Sequence, residues 1–277
     1  MSVTGKDIRK ALGGFGLAGR AVCLHGSLRS HGHVEGGADA IVRAFLDEGC
    51  TVLVPVFSSA FEVAPPPHLR FERNGWDYDS ATAREGSGRV YSPESSEVDR
   101  EMGAIPAAVL AVPGRVRGGH PLDSFAAIGP RAAELVSGQT ASNVYAPLKA
   151  LVSLGGFVLL MGVGLERLTL LHLAEEEAGR VLFRRWANDP GGRPSAVEVG
   201  GCSEGFGRLE PHLRSIMKKV KVGRSLWTLL PAARAVSLAA DAIRSDPSIT
   251  HCGDATCERC RDAVAGGPIL SGQNRLR

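Results

Sequence analysis

Short apolar runs alternate with polar, glycine-containing loops over the first two thirds of the chain. Ala21–Leu24 and Thr51–Phe57 are two such runs, and Gly37–Glu48 between them carries an apolar stripe at helical spacing. A strand, a loop, a helix and a second strand of these lengths predict a βαβ unit with parallel strands. The connecting loop His25–Gly36 leads into a helix start, which is a suitable cradle for an anion.

A second unit follows the same order. Phe157–Met161 is predicted to be a buried strand, Gly162–Glu166 a turn, and the stretch LTLLHLAEEEA at 168–178 a helix. On that helix His172 and Glu175 are three residues apart and therefore neighbours on one face. They are either a solvated surface pair or a base with its orienting carboxylate. A position just past the carboxyl end of a strand, where α/β proteins commonly place their sites, favours the second interpretation.

The rest of the pattern is less regular. We expect a helix at 105–111, a strand at 124–129, a helix opened by Pro130, and two helices at 210–221 and 226–243. The segment 62–101 is rich in proline and acidic residues. It is either a surface excursion or an acidic loop that faces a cationic substrate through Asp77, Asp79, Glu97 or Asp99. The prediction is one α/β domain over 1–277, with a more divergent part at 181–277.

Composition adds few constraints. The 277 residues are 44% hydrophobic and 22% charged, the usual proportions of a globular protein with a core. A net charge of +3 and only 5% aromatic residues do not indicate nucleic-acid binding. No run approaches the roughly 18 apolar residues of a membrane helix, and the first residues lack a signal-peptide core. We therefore expect a cytoplasmic protein that binds neither membrane nor nucleic acid.

Four cysteines in the last third have metal-ligand spacing. Cys252, Cys257 and Cys260 form a Cys-x4-Cys-x2-Cys run, and the fourth ligand of a zinc site would be Cys202 or His251. We favour Cys202. Four protein ligands leave no open position for water, so the predicted zinc is structural and not catalytic. The alternative is a set of free thiols.

Four segments in one order resemble the aminoglycoside 3-N-acetyltransferase family over about residues 20–178. They are HGSLRSHGHVEGGADAI, MGAIPAAVLAVPGRVRGGHP, HPLDSFAAIG and LLMGVGLERLTLLHLAEE. The resemblance implies an α/β fold with a mixed sheet flanked by helices, acetyl-coenzyme A as cosubstrate and an amine as acceptor. This fold differs from that of the GNAT acetyltransferases, whose pyrophosphate motif is absent; RVRGGH comes closest and fails at its last position.

The resemblance also implies catalytic residues. An amine attacks a thioester only after it loses its proton, so the reaction needs a positioned base. His172 matches the family's base and Glu175 its orienting carboxylate, and His120 is a third candidate that equally fits a scaffold role. Transfer is expected to be direct, because no cysteine in these motifs can carry an acyl intermediate.

Cofactor and acceptor contacts follow from the same motifs. The expected coenzyme A contacts come from the first loop and from the RGGHPLDSF segment: His25, Gly26, Ser27, Leu28, Gly36, Gly37, Arg117 and Ser124. Ser124 or loop amides would stabilise the oxyanion. The alternative is that the loop glycines only make turns. For a cationic acceptor we expect Asp77, Asp79 and Asp123.

The predicted function is acetyl-coenzyme A-dependent acetylation of a primary amine, in an aminoglycoside or related amino sugar. Two departures leave the acceptor open: Ala107 stands where the family pattern has glutamate, and the chain is slightly basic. The alternatives are a biosynthetic amine of another kind and a non-catalytic, zinc-stabilised binding protein. The sequence does not distinguish antibiotic resistance from biosynthesis, or a monomer from a homodimer.

Overall fold

The computed structural model describes residues 2–78 and 88–270. Its strands are β1 Ala21–Gly26, β2 Thr51–Pro55, β3 Val116–Arg117, β4 Phe125–Ile128, β5 Phe157–Met161, β6 Phe183–Asn188, β7 Pro194–Val199, β8 Lys218–Val222 and β9 Ser225–Pro231. Its helices are α1 Gly5–Phe15, α2 Gly37–Asp47, α3 Ala104–Ala111, α4 Ala132–Val136, α5 Ala146–Ser153, α6 Leu170–Glu177, α7 Glu210–Leu213, α8 Ala232–Ser245 and α9 Glu258–Val264.

Seven strands form the main sheet in the order β3-β4-β2-β1-β5-β9-β8. The central strand β1 runs parallel to both β2 and β5, with Val22 opposite Val52 and Cys23 opposite Val158. The outer pairings are antiparallel. The predicted mixed sheet and the parallel βαβ unit are therefore confirmed.

Helices cover both faces of this sheet. Successive residues of β1 point to opposite faces, so Cys23 belongs to one hydrophobic cluster and Val22 to the other. On the first face, α4, α5, α6 and α8 supply buried leucines and alanines, and α8 packs along α6. On the second face, α1, α2 and α3 cover the strands around the buried Trp227. Because β1, β2 and β5 run parallel, their carboxyl ends lie at the same edge of this well-packed sheet.

The C-terminal third completes this body. Strands β8 and β9 extend the main sheet beyond β5, while β6 and β7 form a separate antiparallel pair. That pair has a small core of its own around Phe61, Phe183 and Val197. In the described part of the chain no helix is long and apolar enough to cross a membrane.

Two of the predicted C-terminal helices are wrong in part. The run expected to be helical over 226–243 is strand β9 followed by helix α8, and the one expected over 210–221 is short helix α7 followed by strand β8. A short continuous apolar run such as LWTLL fits a buried strand and a buried helix equally well. The alternation KKVKV in β8 is a strand pattern that the helix prediction overlooked.

Candidate active site

A cavity of about 1610 Å³ lies at the carboxyl ends of β1 and β5. The end of β1, the first turn of α3, helix α6 and parts of the 62–78 and 98–103 segments line it. This is the edge of an α/β sheet at which ligands commonly bind. The volume exceeds the roughly 300–1,000 Å³ of a site for one small molecule, so there is room for two substrates.

His172 on α6 lines this cavity with its ring almost buried. Its Nδ1 lies 2.7 Å from Oε2 of Glu175, one helical turn away, and the two side chains are 9% and 7% exposed. A surface salt link is thereby excluded. With Nδ1–H donating to the carboxylate, Nε2 is the nitrogen that remains for a substrate.

Glu175 is held on its other oxygen. Oε1 accepts hydrogen bonds from Nη1 of Arg180 and, at 3.3 Å, from the hydroxyl of Thr250. Arg180 also donates to the Thr250 hydroxyl at 2.7 Å and to the carbonyl of Pro247. Both carboxylate oxygens of Glu175 therefore accept hydrogen bonds, and these bonds hold the carboxylate in place against His172.

Packing fixes the imidazole ring as well. Tyr145 lies parallel to it with the ring centroids 6.1 Å apart, and Phe206 meets it edge-on at 4.8 Å. The backbone of Gly200 is so close that a Cβ there would lie 3.0 Å from Nε2 of His172 and 2.5 Å from the Tyr145 hydroxyl. The loop at Gly200 therefore forms a wall of the cavity directly beside Nε2 of His172.

Asp123 lines the cavity near enough to His172 for the two side chains to interact electrostatically. Burial raises the pKa of Asp123 to about 6, while His172 and the backbone N–H of Gly200 act in the opposite direction. Of the three predicted acceptor ligands, Asp123 is the one that the structure brings to the cavity. Asp77 is exposed and outside the lining, and Asp79 is outside the described residues.

The remainder of the 62–101 segment is not a simple surface excursion, because residues from both of its described parts line the cavity. Asp99 is among them, and its two carboxylate oxygens accept the backbone N–H of Ser59 at 2.9 and 3.0 Å. Glu97 lies outside the lining. Hydrogen bonds from Ser95 and Arg89 lower the pKa of Glu97 to about 2.

Arg117, predicted to pair with a phosphate of coenzyme A, lies outside the cavity lining. Its guanidinium is buried and donates to the Ser124 hydroxyl at 2.9 Å and to three backbone carbonyls, those of Val56, Ser95 and Glu97. Ser124 is fully buried and bonded to this guanidinium, outside the cavity lining. Both side chains are therefore engaged in holding the sheet edge, and neither lies in the cavity lining.

The surroundings of His120 fit the scaffold role, which was the alternative to a catalytic one. It is fully buried, outside the cavity, and its Nδ1 accepts the backbone N–H groups of Leu122 and Asp123 at 3.2 and 2.8 Å. Burial lowers its pKa to about 4, so the ring is neutral at pH 7. It shapes the turn that carries Asp123.

Only the first part of the loop between β1 and α2 lies at the cavity. Of the residues predicted to contact coenzyme A, His25, Gly26, Ser27 and Leu28 line the cavity, whereas the pair Gly36-Gly37 does not. The chain makes a 3-10 turn at Leu28–His31 and a bridge from Val34 to Val3 before α2 begins, which takes the start of α2 away from the site. Two helix starts border the cavity, that of α3 and that of α6 at Thr169.

The sulfur atoms of four cysteines form one cluster beside the loop that follows Gly200. Ligand atoms of Cys202, Cys252, Cys257 and Cys260 all lie within 4.8 Å of one another. The Nδ1 of His251 instead accepts the backbone N–H of Gly253 at 3.0 Å. The structure thus assembles the predicted set with Cys202 and leaves out His251.

Sequence analysis did not single out Tyr145, Arg180, Gly200, Phe206 or Thr250. Each reaches the His172–Glu175 pair from another element, up to 75 positions away along the chain. No local spacing marks such residues. Only Arg180, which follows Gly179 at the end of α6, offers a weak signal, since a chain reversal there returns it to the helix.

Comparison with known proteins agrees with this fold. The sequence model of the aminoglycoside 3-N-acetyltransferase family matches residues 23–244, so the chain belongs to this family. Among solved structures, the apoenzyme of aminoglycoside acetyltransferase AAC(3)-IVa superposes with a TM-score of 0.75 at 25% identity, covering 96% of this chain and 98% of that one.

Curated relatives match over a shorter region. Aminoglycoside N(3)-acetyltransferase IX of Micromonospora chalcea is 36% identical over 180 residues, 62% of this chain and 62% of its own length. The aminoglycoside N(3')-acetyltransferase-like protein YokD of Bacillus subtilis is 30% identical over 205 residues, 70% of this chain and 71% of its own. The chain thus matches about three fifths of the first of these relatives and somewhat more of the second.

Proposed function

We propose that this protein transfers an acetyl group from acetyl-coenzyme A to a primary amine of an aminoglycoside or related amino sugar. The observation that carries the proposal is the buried His172–Glu175 pair, which exposes one imidazole nitrogen to a cavity large enough for two substrates. Family membership supports the reaction class, since the relatives are named aminoglycoside N(3)-acetyltransferases. A structure of the related AAC-IIIb contains coenzyme A in reduced form.

His172 acts as the general base in this proposal. Its Nε2 removes the proton from the acceptor ammonium, and the freed amine nitrogen attacks the thioester carbonyl carbon. Attack leaves a surplus proton on the nitrogen, and His172, which has by then passed the first proton to solvent, removes this second one. As the carbon–sulfur bond breaks, His172 gives the second proton to sulfur, so that the products are the amide, coenzyme A as a thiol and one proton in solvent. Glu175 keeps the imidazole in the required tautomer and stabilises the imidazolium while it carries the proton.

Direct transfer is the favoured route. No cysteine occurs among the cavity-lining residues of the described chain, and Cys23, the cysteine beside His25, is fully buried in the core. Burial also raises the pKa of the Cys23 thiol far above its usual range, which disfavours the thiolate that an acyl carrier requires.

The cavity wall fits both substrates. Arginines at its border, including Arg29, Arg100 and Arg167, suit the phosphates of coenzyme A, and the first turn of α3 adds backbone N–H groups. Asp123, beside His172, is positioned for an ammonium group of the acceptor. The four-cysteine cluster is outside the reaction path; we propose that it holds a structural zinc ion.

Ala107 lines the cavity in place of the glutamate of the family pattern, and this favours one second candidate, an amine outside the aminoglycosides. A small, singly charged amine needs fewer carboxylates than a polycation does. In that case the same base and donor act on a different acceptor.

The test is release of thiol from acetyl-coenzyme A with a panel of aminoglycosides and simple amines. We expect acceptor-dependent release that falls about 10²–10⁴-fold in His172→Ala. His251→Ala is the matched control, because this histidine is outside the cavity lining. Release with simple amines alone would select the second candidate. Release that His172→Ala leaves unchanged would refute the assigned base, and a failure to bind coenzyme A would refute the enzyme.

A further inference from the structure

The four cysteines come from two separate segments that converge behind the cavity wall. Cys202 follows β7, whereas Cys252, Cys257 and Cys260 lie between α8 and the middle of α9. Gly205 packs so closely against the other segment that a Cβ there would lie 2.2 Å from the carbonyl oxygen of Thr250. The two segments are therefore in direct contact beside the cysteine cluster.

The sulfur geometry fits one tetrahedral ion better than it fits disulfides. In a four-thiolate zinc site the Zn–S distance is about 2.3 Å, which places the sulfurs about 3.8 Å apart. The observed spread, within 4.8 Å for the whole set, needs a contraction of at most about 1 Å. Each sulfur faces the three others, and all four cysteines are free thiols.

Backbone N–H groups already point at these sulfurs. The N–H of Cys252 lies 3.3 Å from Sγ of Cys260. The backbone N–H groups of Glu204 and Asp254, each two positions after a cysteine, bond Cys202 and Cys252 in the same way. Such outer contacts orient thiolate ligands and neutralise part of their charge, as they do in metal sites generally.

The cluster is connected to the catalytic pair on two sides. Cys202 stands between Gly201 and Ser203, which both line the cavity. Two residues before Cys252, the Thr250 hydroxyl contacts Oε1 of Glu175 and accepts a hydrogen bond from Arg180. Anything that fixes the two cysteine segments therefore also fixes the groups that hold Glu175.

We propose that Cys202, Cys252, Cys257 and Cys260 bind one zinc ion, and that this ion positions Thr250 and the 200–203 loop against the His172–Glu175 pair. Thr250 is then a positioning residue that acts through Glu175. The metal part is independent of the reaction, whereas the positioning part rests on the proposed function.

The metal part is tested on the full chain, purified without chelators, by elemental analysis. We expect about one zinc per chain in the wild type and in His251→Ala, and loss of zinc in Cys202→Ser and Cys257→Ser. If those variants do not fold, wild type stripped with a chelator and reloaded with Co²⁺ should show the absorption of a tetrahedral thiolate site. Iron in place of zinc, disulfides among the four cysteines, or no metal uptake by the stripped protein would each overturn this part.

The positioning part is tested by Thr250→Val and Thr250→Ser in the zinc-loaded protein. We expect Thr250→Val to keep its zinc and lower kcat roughly tenfold with KM for the acceptor little changed, and Thr250→Ser to recover most of kcat. The pH profile of kcat should also shift in Thr250→Val, because the hydrogen bonding of Glu175 changes. Wild-type kcat and pH profile in Thr250→Val would overturn the coupling and leave the metal site standing.

Discussion

Gly200 offers a test of the active site that removes none of its chemical groups. An added Cβ would lie 2.5 Å from the Tyr145 hydroxyl, 2.9 Å from Cδ2 of His172 and 3.0 Å from its Nε2. An ordinary contact begins near 3.4 Å, so the loop, the tyrosine or the imidazole must move by about 0.9 Å. The three residues are packed tightly, and part of that movement will fall on His172.

Gly200→Ala should therefore reduce activity more than stability. Overpacking of this kind costs about 1–3 kcal/mol in the free energy of unfolding. A displacement of about 1 Å at a reacting group costs roughly 10²-fold in rate. We expect kcat for acceptor-dependent thiol release to fall on the order of 10²-fold while the protein stays folded.

The assay pairs steady-state kinetics with urea unfolding. Gly207→Ala is the matched control, because no heavy atom lies within 4 Å of a Cβ at that position. Its kcat should equal that of the wild type. A Gly200→Ala protein with wild-type kcat would refute the idea that this loop bounds the reactive nitrogen. Equal losses in both variants would show that the effect is not specific to Gly200.

Three further variants test individual groups. Glu175→Gln should lower kcat about 10²–10⁴-fold. It should also lower the free energy of unfolding by about 3–5 kcal/mol, because Arg180 stays buried without its carboxylate partner. Steady-state kinetics and an unfolding curve measure the two effects, and an unchanged kcat would contradict the role of Glu175. Arg117→Lys should reduce the free energy of unfolding by about 1–3 kcal/mol and leave KM for acetyl-coenzyme A unchanged, whereas the opposite outcome would restore Arg117 as a phosphate ligand. Folded protein keeps the proton on Asp123 up to pH about 6 and the unfolded chain releases it near 3.8, so stability should fall by at most about 3 kcal/mol as pH rises through that window. Asp123→Asn should remove this dependence in urea midpoints measured from pH 4 to 7, and an unchanged slope would contradict the raised pKa.

The parts of the fold that were predictable are those specified by local pattern. Strands β1, β2 and β5 and helices α2 and α6 each come from one apolar run or stripe, and their order indicates parallel pairing. Strand β9 was assigned to a helix because its five-residue core carries no periodicity, and only its place between β5 and β8 makes it a strand. Tertiary context supplies what the sequence pattern lacks there.

In the site, too, contacts between residues close together in the sequence could be predicted, and contacts between distant segments could not. His172 and Glu175 share one helix, so their spacing reveals the pair. Arg180, Thr250 and Gly200 contact the pair through other elements, and no spacing predicts contacts that depend on how α6 packs against α8 and the 200–205 loop. The cysteine cluster could be predicted from the sequence because metal ligands are restricted to a few residue types.

The segment RGGHPLDSF shows that a local motif does not determine which of its side chains face a cavity. Arg117 and Ser124 were expected to contact coenzyme A, whereas strands β3 and β4 pair antiparallel here and the Arg117 guanidinium is bonded to Ser124 and to backbone carbonyls. His120 accepts the backbone N–H groups of Leu122 and Asp123, and this bends the turn so that Asp123 alone among these groups reaches the cavity. Buried Arg117 and His120 thus support the turn from which Asp123 reaches the cavity, so two of the three residues hold the backbone in place and one lines the cavity.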